Sequence, residues 1–186
     1  LKPGTYSIRP GMAYGVAKQF AEYENALLPE IRILPGTTLK DLVLAGGEYC
    51  TSQDLYQALS RDENYPSPLL SRLPFRGGDR MLFLLPETYR IPQGPRFADE
   101  AIQQASQEWW RALGPSLEAL ALTSEDSFRR GILASVVERE ARRKDERNAV
   151  AGVFRNRLEI KMPLQSCATV VYAWSLEGIK KERLLK

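Results

Sequence analysis

Two stretches near the start of the chain share one pattern of apolar and polar positions. Residues 6–20 and 31–45 each contain a short β-type run, then a Pro-Gly pair, then apolar residues at helical spacing. The residues expected on the inward faces of the two helices are Val16, Phe20, Tyr23, Leu39, Leu42 and Val43. The two stretches begin 25 residues apart, a spacing that fits a duplicated strand–turn–helix unit.

The middle of the chain changes from helical to extended spacing. Residues 51–73 show helical periods that turn Leu55, Ala58 and Leu59 inward. The apolar run that follows stops at Pro86, and the chain then returns to extended structure up to Ile91. This part is therefore predicted to hold a buried helix and a short strand.

The second half of the chain is predicted to be mainly helical. One helix covers residues 96–113, and its apolar stripe consists of Phe97, Ala101, Ala105 and Trp109. Two more run from about residue 124 to 143 and from about 146 to 161, and the segment from residue 169 begins another. A small strand–turn–helix part at residues 1–50 followed by a mainly helical part at residues 51–186 predicts an α+β fold.

The composition excludes several kinds of catalytic site and metal site. The 186 residues include no histidine, which excludes histidine-dependent triads, Cys-His proteases and most zinc sites. We expect neither a metal nor another cofactor. The net charge of +3 is too small to indicate a nucleic-acid partner, although it is compatible with an anionic polymer. Cys50 and Cys167 are interpreted as two separate thiols.

Two glutamates in the predicted helix at 124–143 are candidates for acid–base chemistry. Glu138 and Glu140 point to nearly opposite sides of a helix that turns about 100° per residue. They therefore cannot be the cooperating pair of an ordinary glycosidase, whose carboxyl groups flank one bond. A Glu-x-Glu pair in an arginine-rich helix is also the usual pattern of surface salt bridges, and the residues alone leave this alternative open.

The surroundings predicted for the two glutamates differ. The apolar stripe that leads to Glu140 consists of Phe128, Ile132 and Val136. Its carboxylate is thus expected at the edge of the core with a partner such as an arginine. The row beside Glu138 consists of the small residues Gly131, Ala134 and Ser135. Such a row leaves a shallow trough for a bulky chain, and partial desolvation there favours the protonated form that a general acid needs.

The last third of the chain resembles the catalytic core of the endolytic murein transglycosylases, the YceG-like family. The family pattern contains Ser-Val-Val-Glu-x-Glu, Val-Phe-x-Asn-Arg-Leu and Met-x-Leu-Gln-Ser, in this order. The matching residues are Ser135, Val136, Val137, Glu138, Glu140, Val153, Phe154, Asn156, Arg157, Leu158, Met162, Leu164, Gln165, Ser166, Thr169, Val170 and Tyr172. Residues 1–12, 31–42 and 84–89 resemble further elements of the family.

The resemblance implies a lytic transglycosylase that cuts the β-1,4 bond between N-acetylmuramic acid and N-acetylglucosamine within peptidoglycan strands. In this reaction the muramyl 6-hydroxyl closes onto its own anomeric carbon and leaves a 1,6-anhydro end. One carboxyl group suffices because the substrate supplies the nucleophile, and the resemblance assigns the general acid/base role to Glu138.

Further residue roles follow from the same resemblance. Gln165, Ser166 and Asn156 are expected to bind the substrate, with a structural role as the alternative. Glu140, Arg157 and Tyr172 are expected to support the site.

The chain departs from the family pattern in two places. Cys167 and Ala168 stand where the family has Asp-Pro, which removes an acid and loosens the turn. The family's last third is absent, so the catalytic part is expected to be incomplete at its C-terminal end. This puts the activity of the chain by itself in question.

The resemblance also implies a location and partners. Family members are anchored in the cytoplasmic membrane by one N-terminal helix, carry a LysM-like part before the catalytic part, and act outside the cytoplasm. Penicillin-binding peptidoglycan synthases are plausible partners by resemblance. The alternative function is a non-catalytic peptidoglycan-binding scaffold of the cell-wall machinery.

Overall fold

The computed structural model describes residues 30–91 and 94–177. Contacts divide the chain into two compact units, the first ending at Ser124 and the second beginning at Glu125. The first of the two predicted strand–turn–helix units, residues 6–20, lies outside the described residues. The predicted boundary near residue 50 between a LysM-like part and a catalytic part stays a prediction.

The second predicted strand–turn–helix unit is present. Strand β1 (Glu30–Arg32) is followed by a turn at Pro35-Gly36 and by helix α1 (Leu39–Gly46). Gly36 has a φ of 80°, a backbone conformation that costs glycine little. Thr38 caps α1, because its hydroxyl accepts from the Asp41 amide while the Asp41 carboxylate accepts from the Thr38 amide at 2.8 Å.

The strand partner of β1 comes from much later in the chain. Strand β2 (Thr88–Arg90) pairs with β1 in antiparallel register, with Ile31 opposite Tyr89. These two side chains are buried, whereas their neighbours on both strands are exposed. The sheet therefore presents one face to the core of the first unit.

Helices supply the rest of the first unit. Helix α2 (Ser52–Ser60) buries Leu55, Ala58 and Leu59 as predicted, and it is followed by the short helix α3 (Ser67–Leu70) and a 3₁₀ segment at Gly77–Phe83. Helix α4 (Phe97–Ala119) continues six residues beyond its predicted end.

One tryptophan of α4 differs from the sequence expectation. Trp109, predicted on the apolar stripe, is half-buried, and so is the neighbouring Trp110. The Trp109 ring packs edge-on against Phe83 with centroids 4.9 Å apart. Trp110 lies over Gly114, where a Cβ atom would approach its ring to 2.7 Å. The glycine thus lets the second ring fold back on its own helix.

The second unit contains three helices in its described part, which ends at residue 177. They are α5 (Ser124–Glu140), α6 (Arg147–Glu159) and α7 (Cys167–Leu176), with a 3₁₀ turn at Lys144–Glu146 between the first two. The mainly helical architecture with one two-stranded antiparallel sheet agrees with the predicted α+β class.

The core of the second unit differs from the sequence prediction at Ile132. Its buried residues are Val136, Val137 and Phe154, with Leu133 packed against them. Ile132 was predicted on the inward stripe of α5 but is 45% exposed. The residues of α5 in the core around Phe154 of α6 are Leu133, Val136 and Val137, so the buried face keeps Val136 of the predicted stripe but passes beside Ile132.

The two cysteines differ in reactivity by their surroundings. Cys50 is buried, and its pKa is raised by burial and by the Asp54 carboxylate, whereas Cys167 is exposed. Because the thiolate is the reacting form, we expect a maleimide at pH 8 to label Cys167 about tenfold or more faster than Cys50. Mass spectrometry of the labelled peptides measures both rates, with Cys167→Ser as the control. Equal labelling of the two thiols in the native protein would contradict the buried position of Cys50.

Candidate functional site

The two glutamates stand at the C-terminal end of α5 in different surroundings. Glu138 is half-buried, and within the described part of the chain it has no hydrogen-bond or ion-pair partner. Ala134 and Ser135, in the predicted row of small residues, are exposed, so solvent reaches this strip of the helix. Glu138 therefore offers an accessible carboxyl group that none of the described residues engages.

The carboxylate of Glu140 is occupied. Its Oε1 accepts a hydrogen bond of 2.5 Å from the hydroxyl of Ser166 and one of 3.1 Å from the backbone N–H of Ala168. Ser166 precedes α7, and its hydroxyl makes no capping bond to its own helix. Glu140 acts as the cap instead, since a negative charge beside the free N–H groups at a helix start is favourable.

Arg157 supports the other side of the same turn. Its guanidinium group donates a hydrogen bond to the carbonyl oxygen of Leu164. Its own carbonyl oxygen accepts from the amide of Met162 at 2.7 Å. The turn between α6 and α7 includes two non-glycine residues with positive φ, Lys161 at 55° and Gln165 at 53°. The contacts of Arg157 hold this uncommon backbone in place.

Glu140 and Arg157 brace the site separately. The expectation from sequence was that both support the helices, with a direct pairing left open. Among the described residues the two side chains do not bond to each other. Glu140 joins α5 to α7, and Arg157 joins α6 to the turn that precedes α7.

The residues predicted to bind substrate do not share one environment. Gln165 and Asn156 are exposed, and Gln165 lies on the turn beside α7. Ser166 is only 4% exposed, and its hydroxyl is engaged with Glu140. The structure thus gives Ser166 a structural contact where the sequence predicted a contact with substrate. Tyr172, predicted to support the site, is 50% exposed on α7.

One donor to the Glu140 carboxylate was not predicted from the sequence. The backbone N–H of Ala168 donates to Glu140, and a proline at this position has no N–H to donate. The replacement of the family's proline by alanine therefore adds a donor to the cap. The signal that the sequence did contain was Glu140 itself, an acid predicted at the edge of the core and in need of a partner.

Two of the comparisons with known proteins cover the whole chain. The sequence pattern of the YceG-like family matches residues 1–186. The crystal structure of a YceG-like protein from Listeria monocytogenes superimposes with a TM-score of 0.61 at 21% identity, covering 100% of this chain and 64% of that one. This likeness concerns the fold.

Two similar proteins are named endolytic murein transglycosylase. The one from Bacillus subtilis (strain 168) is 49% identical over 53 residues, which are 28% of this chain and 14% of that protein. The one from Streptococcus pneumoniae serotype 2 (strain D39 / NCTC 7466) is 27% identical over 199 residues, covering 93% of this chain and 35% of that protein. The chain thus spans about a third of the length of the streptococcal relative. No helix in residues 30–91 and 94–177 has the length and apolar content that crossing a membrane requires.

The two glutamates provide a matched test of the cap. Glu140→Ala removes two hydrogen bonds to a charged acceptor and leaves the buried Ser166 hydroxyl unpaired, so we expect a loss of about 2 kcal/mol in the free energy of unfolding. Glu138→Ala, two residues away on the same helix, is expected to change it by less than about 0.5 kcal/mol. Urea unfolding followed by circular dichroism measures both. A similar loss in the two variants would show that Glu140 is not a selective brace.

Proposed function

The chain belongs to the YceG-like family, and from this membership we propose that it carries the core of an endolytic lytic transglycosylase. Its substrate is the peptidoglycan glycan strand, and its product is a strand with a 1,6-anhydro-N-acetylmuramic acid end. The names of the streptococcal and Bacillus relatives support this assignment. The observation that carries it is the contrast between Glu138, which has no partner among the described residues, and Glu140, whose carboxylate is occupied.

In the proposed reaction Glu138 works alone, first as an acid and then as a base. Its carboxyl group gives a proton to the glycosidic oxygen as the bond from the anomeric carbon to that oxygen breaks. The muramyl 6-hydroxyl attacks the same carbon and returns its proton to the carboxylate, so Glu138 ends as it began. Water takes no part, and the nucleophile is intramolecular, which removes the entropic cost of bringing it to the carbon.

The surroundings of the two glutamates support a reaction with one catalytic carboxyl group. A two-carboxylate glycosidase needs its second carboxyl group within about 10 Å on the opposite side of the bond. Glu140 cannot serve, because it points away from Glu138 and is held by Ser166 and Ala168. A substrate with its own nucleophile makes that second group unnecessary.

Sugar contacts are proposed for the accessible polar residues near the turn. Gln165 and Asn156 have exposed amide groups that can donate to and accept from sugar hydroxyls. We assign Ser166 to a supporting role with Glu140 and Arg157, because its buried hydroxyl is engaged. We propose that Tyr172, which is 50% exposed on α7, supports the site.

The wider assignments follow the family. We propose that residues 1–50 form a LysM-like part and residues 51–186 the catalytic part. The whole protein is proposed to be anchored in the cytoplasmic membrane, to act on its outer side, and to work beside penicillin-binding synthases. Their support is the family membership.

The proposal predicts a specific loss on changing Glu138 to glutamine. This variant keeps the shape of the side chain but has no proton to give, so formation of 1,6-anhydro ends on purified glycan strands should fall by about 10²- to 10⁴-fold. Mass spectrometry of the strand ends measures the loss, and co-sedimentation with sacculi should be unchanged. Glu118→Gln, an exposed change in the first unit, is the control and should retain activity.

Two outcomes would reject parts of this assignment. Anhydro ends that persist at the original rate in Glu138→Gln would remove Glu138 from the reaction. Binding to sacculi without cleavage by the unaltered protein would favour the alternative, a non-catalytic peptidoglycan-binding scaffold.

A further inference from the structure

A groove runs between α5 and α6. Its volume is about 460 Å³, within the range of about 300 to 1,000 Å³ of pockets that hold small ligands. Three arginines stand along it, Arg129 and Arg130 from α5 and Arg155 from α6. None of the residues assigned to the reaction lines this groove. It is therefore a second feature of the same helical hairpin.

The charge in the groove is concentrated on one arginine. Arg129 is paired with Glu125 at 2.5 Å, and Arg155 is paired with Glu159 at 3.7 Å, each along its own helix. Arg130 has no ion-pair partner among the described residues. The groove thus offers one uncompensated guanidinium group, which matches a single carboxylate better than a polymer with many phosphates.

The apolar part of the lining is termed the floor of the groove. Leu133 and Leu158 line it, and Leu158 is 53% exposed. Apolar atoms left in contact with water favour a ligand that brings apolar atoms of its own. An anionic ligand with methyl or methylene groups satisfies both the floor and Arg130.

Gly152 keeps this floor open. It lies inside α6, where glycine costs about 0.5–1 kcal/mol relative to alanine. Its φ is not positive, and a Cβ atom built on it meets nothing within 4 Å. Neither the backbone nor the packing among the described residues requires a glycine there. What its missing side chain provides is room in the groove.

The distance to the proposed acid fits a short peptide. Arg130 and Glu138 are eight residues apart on α5, which is about 12 Å along the axis at 1.5 Å per residue. An extended peptide covers this distance with about three or four residues of 3.3–3.6 Å each. Eight residues also rotate the helix by about 80° beyond two full turns, so the two side chains point toward neighbouring sectors of its surface.

We propose that this groove binds the short acidic peptide that branches from the muramic acid of the glycan strand. One carboxylate of the peptide then pairs with Arg130, and its apolar atoms lie over Gly152, Leu133 and Leu158. The inference rests on the proposed function, because the peptide reaches the groove from a sugar placed at Glu138. The excess of positive charge in the hairpin favours such a partner. Residues 124–161 hold ten basic and seven acidic residues, a surplus equal to the net charge of the whole chain.

Calorimetric titration with the free tripeptide L-alanyl-γ-D-glutamyl-meso-diaminopimelate tests the groove without any cleavage. Gly152→Leu fills the floor and Arg130→Gln removes the carboxylate's partner, and each is expected to weaken binding about tenfold or more. Arg111→Gln removes an exposed arginine of the first unit, outside the groove, and should leave the affinity unchanged. Leucine favours a helix over glycine, and circular dichroism verifies that both groove variants stay folded.

Three results would overturn the inference. They are an absence of saturable tripeptide binding, an affinity that Gly152→Leu and Arg130→Gln leave unchanged, and a tighter groove-dependent affinity for poly(glycerol phosphate). The last would assign the groove to a phosphate polymer.

Cleavage assays separate this inference from the proposed function. On peptide-bearing strands the two groove variants should lower kcat/KM about tenfold, whereas cleavage of peptide-free strands should not change. An equal fall on both substrates would overturn the groove assignment and leave the lytic activity in place. Groove-dependent tripeptide binding by a protein that cuts neither strand would support the groove and reject the activity.

Discussion

The carboxylate of Glu140 is the contact on which the second unit depends. It receives the Ser166 hydroxyl and the Ala168 N–H, residues 26 and 28 positions later in the chain, and so ties the end of α5 to the start of α7. A partly buried carboxylate is costly unless such donors surround it, and a helix start has free N–H groups to offer. The carboxylate gains hydrogen-bond donors, and the N–H group at the helix start gains an acceptor. The position of the turn that carries Gln165 follows from this bond together with the one from Arg157 to Leu164.

The same bond separates the roles of two chemically identical side chains. Helix geometry turns Glu138 away from Glu140, and the cap then withdraws Glu140 from any chemistry. Glu138 keeps a carboxyl group without a partner among the described residues, beside a strip of small exposed ones. A reaction whose substrate provides the nucleophile can use such a lone acid, whereas hydrolysis by two carboxylates cannot. The alanine at position 168 belongs to this arrangement, since a proline there removes one of the two donors.

Helix α5 carries both proposed sites along its length. Its C-terminal end carries the proposed acid and the cap, while Arg129, Arg130 and Leu133, nearer its start, line the groove shared with α6. A single rigid helix fixes the spacing between the two, because its rise per residue is constant. A substrate that is branched, with a sugar chain and a peptide, has two parts to be held at a set distance. The hairpin is suited to that shape.

What the sequence determined by itself were the features encoded at short range. Three such features are the helix with Leu55, Ala58 and Leu59 inward, the strand–turn–helix at residues 30–46, and the opposed directions of Glu138 and Glu140. All of them follow from backbone geometry over a few residues. The family motifs, by resemblance, proposed which residues form the candidate site. Tertiary structure alone decided that β1 pairs with a strand 58 positions later, that Ile132 faces solvent, and that Ser166 is buried against Glu140. These outcomes depend on which distant surface a helix or strand meets, and the periodicity of one segment carries no information about its partner.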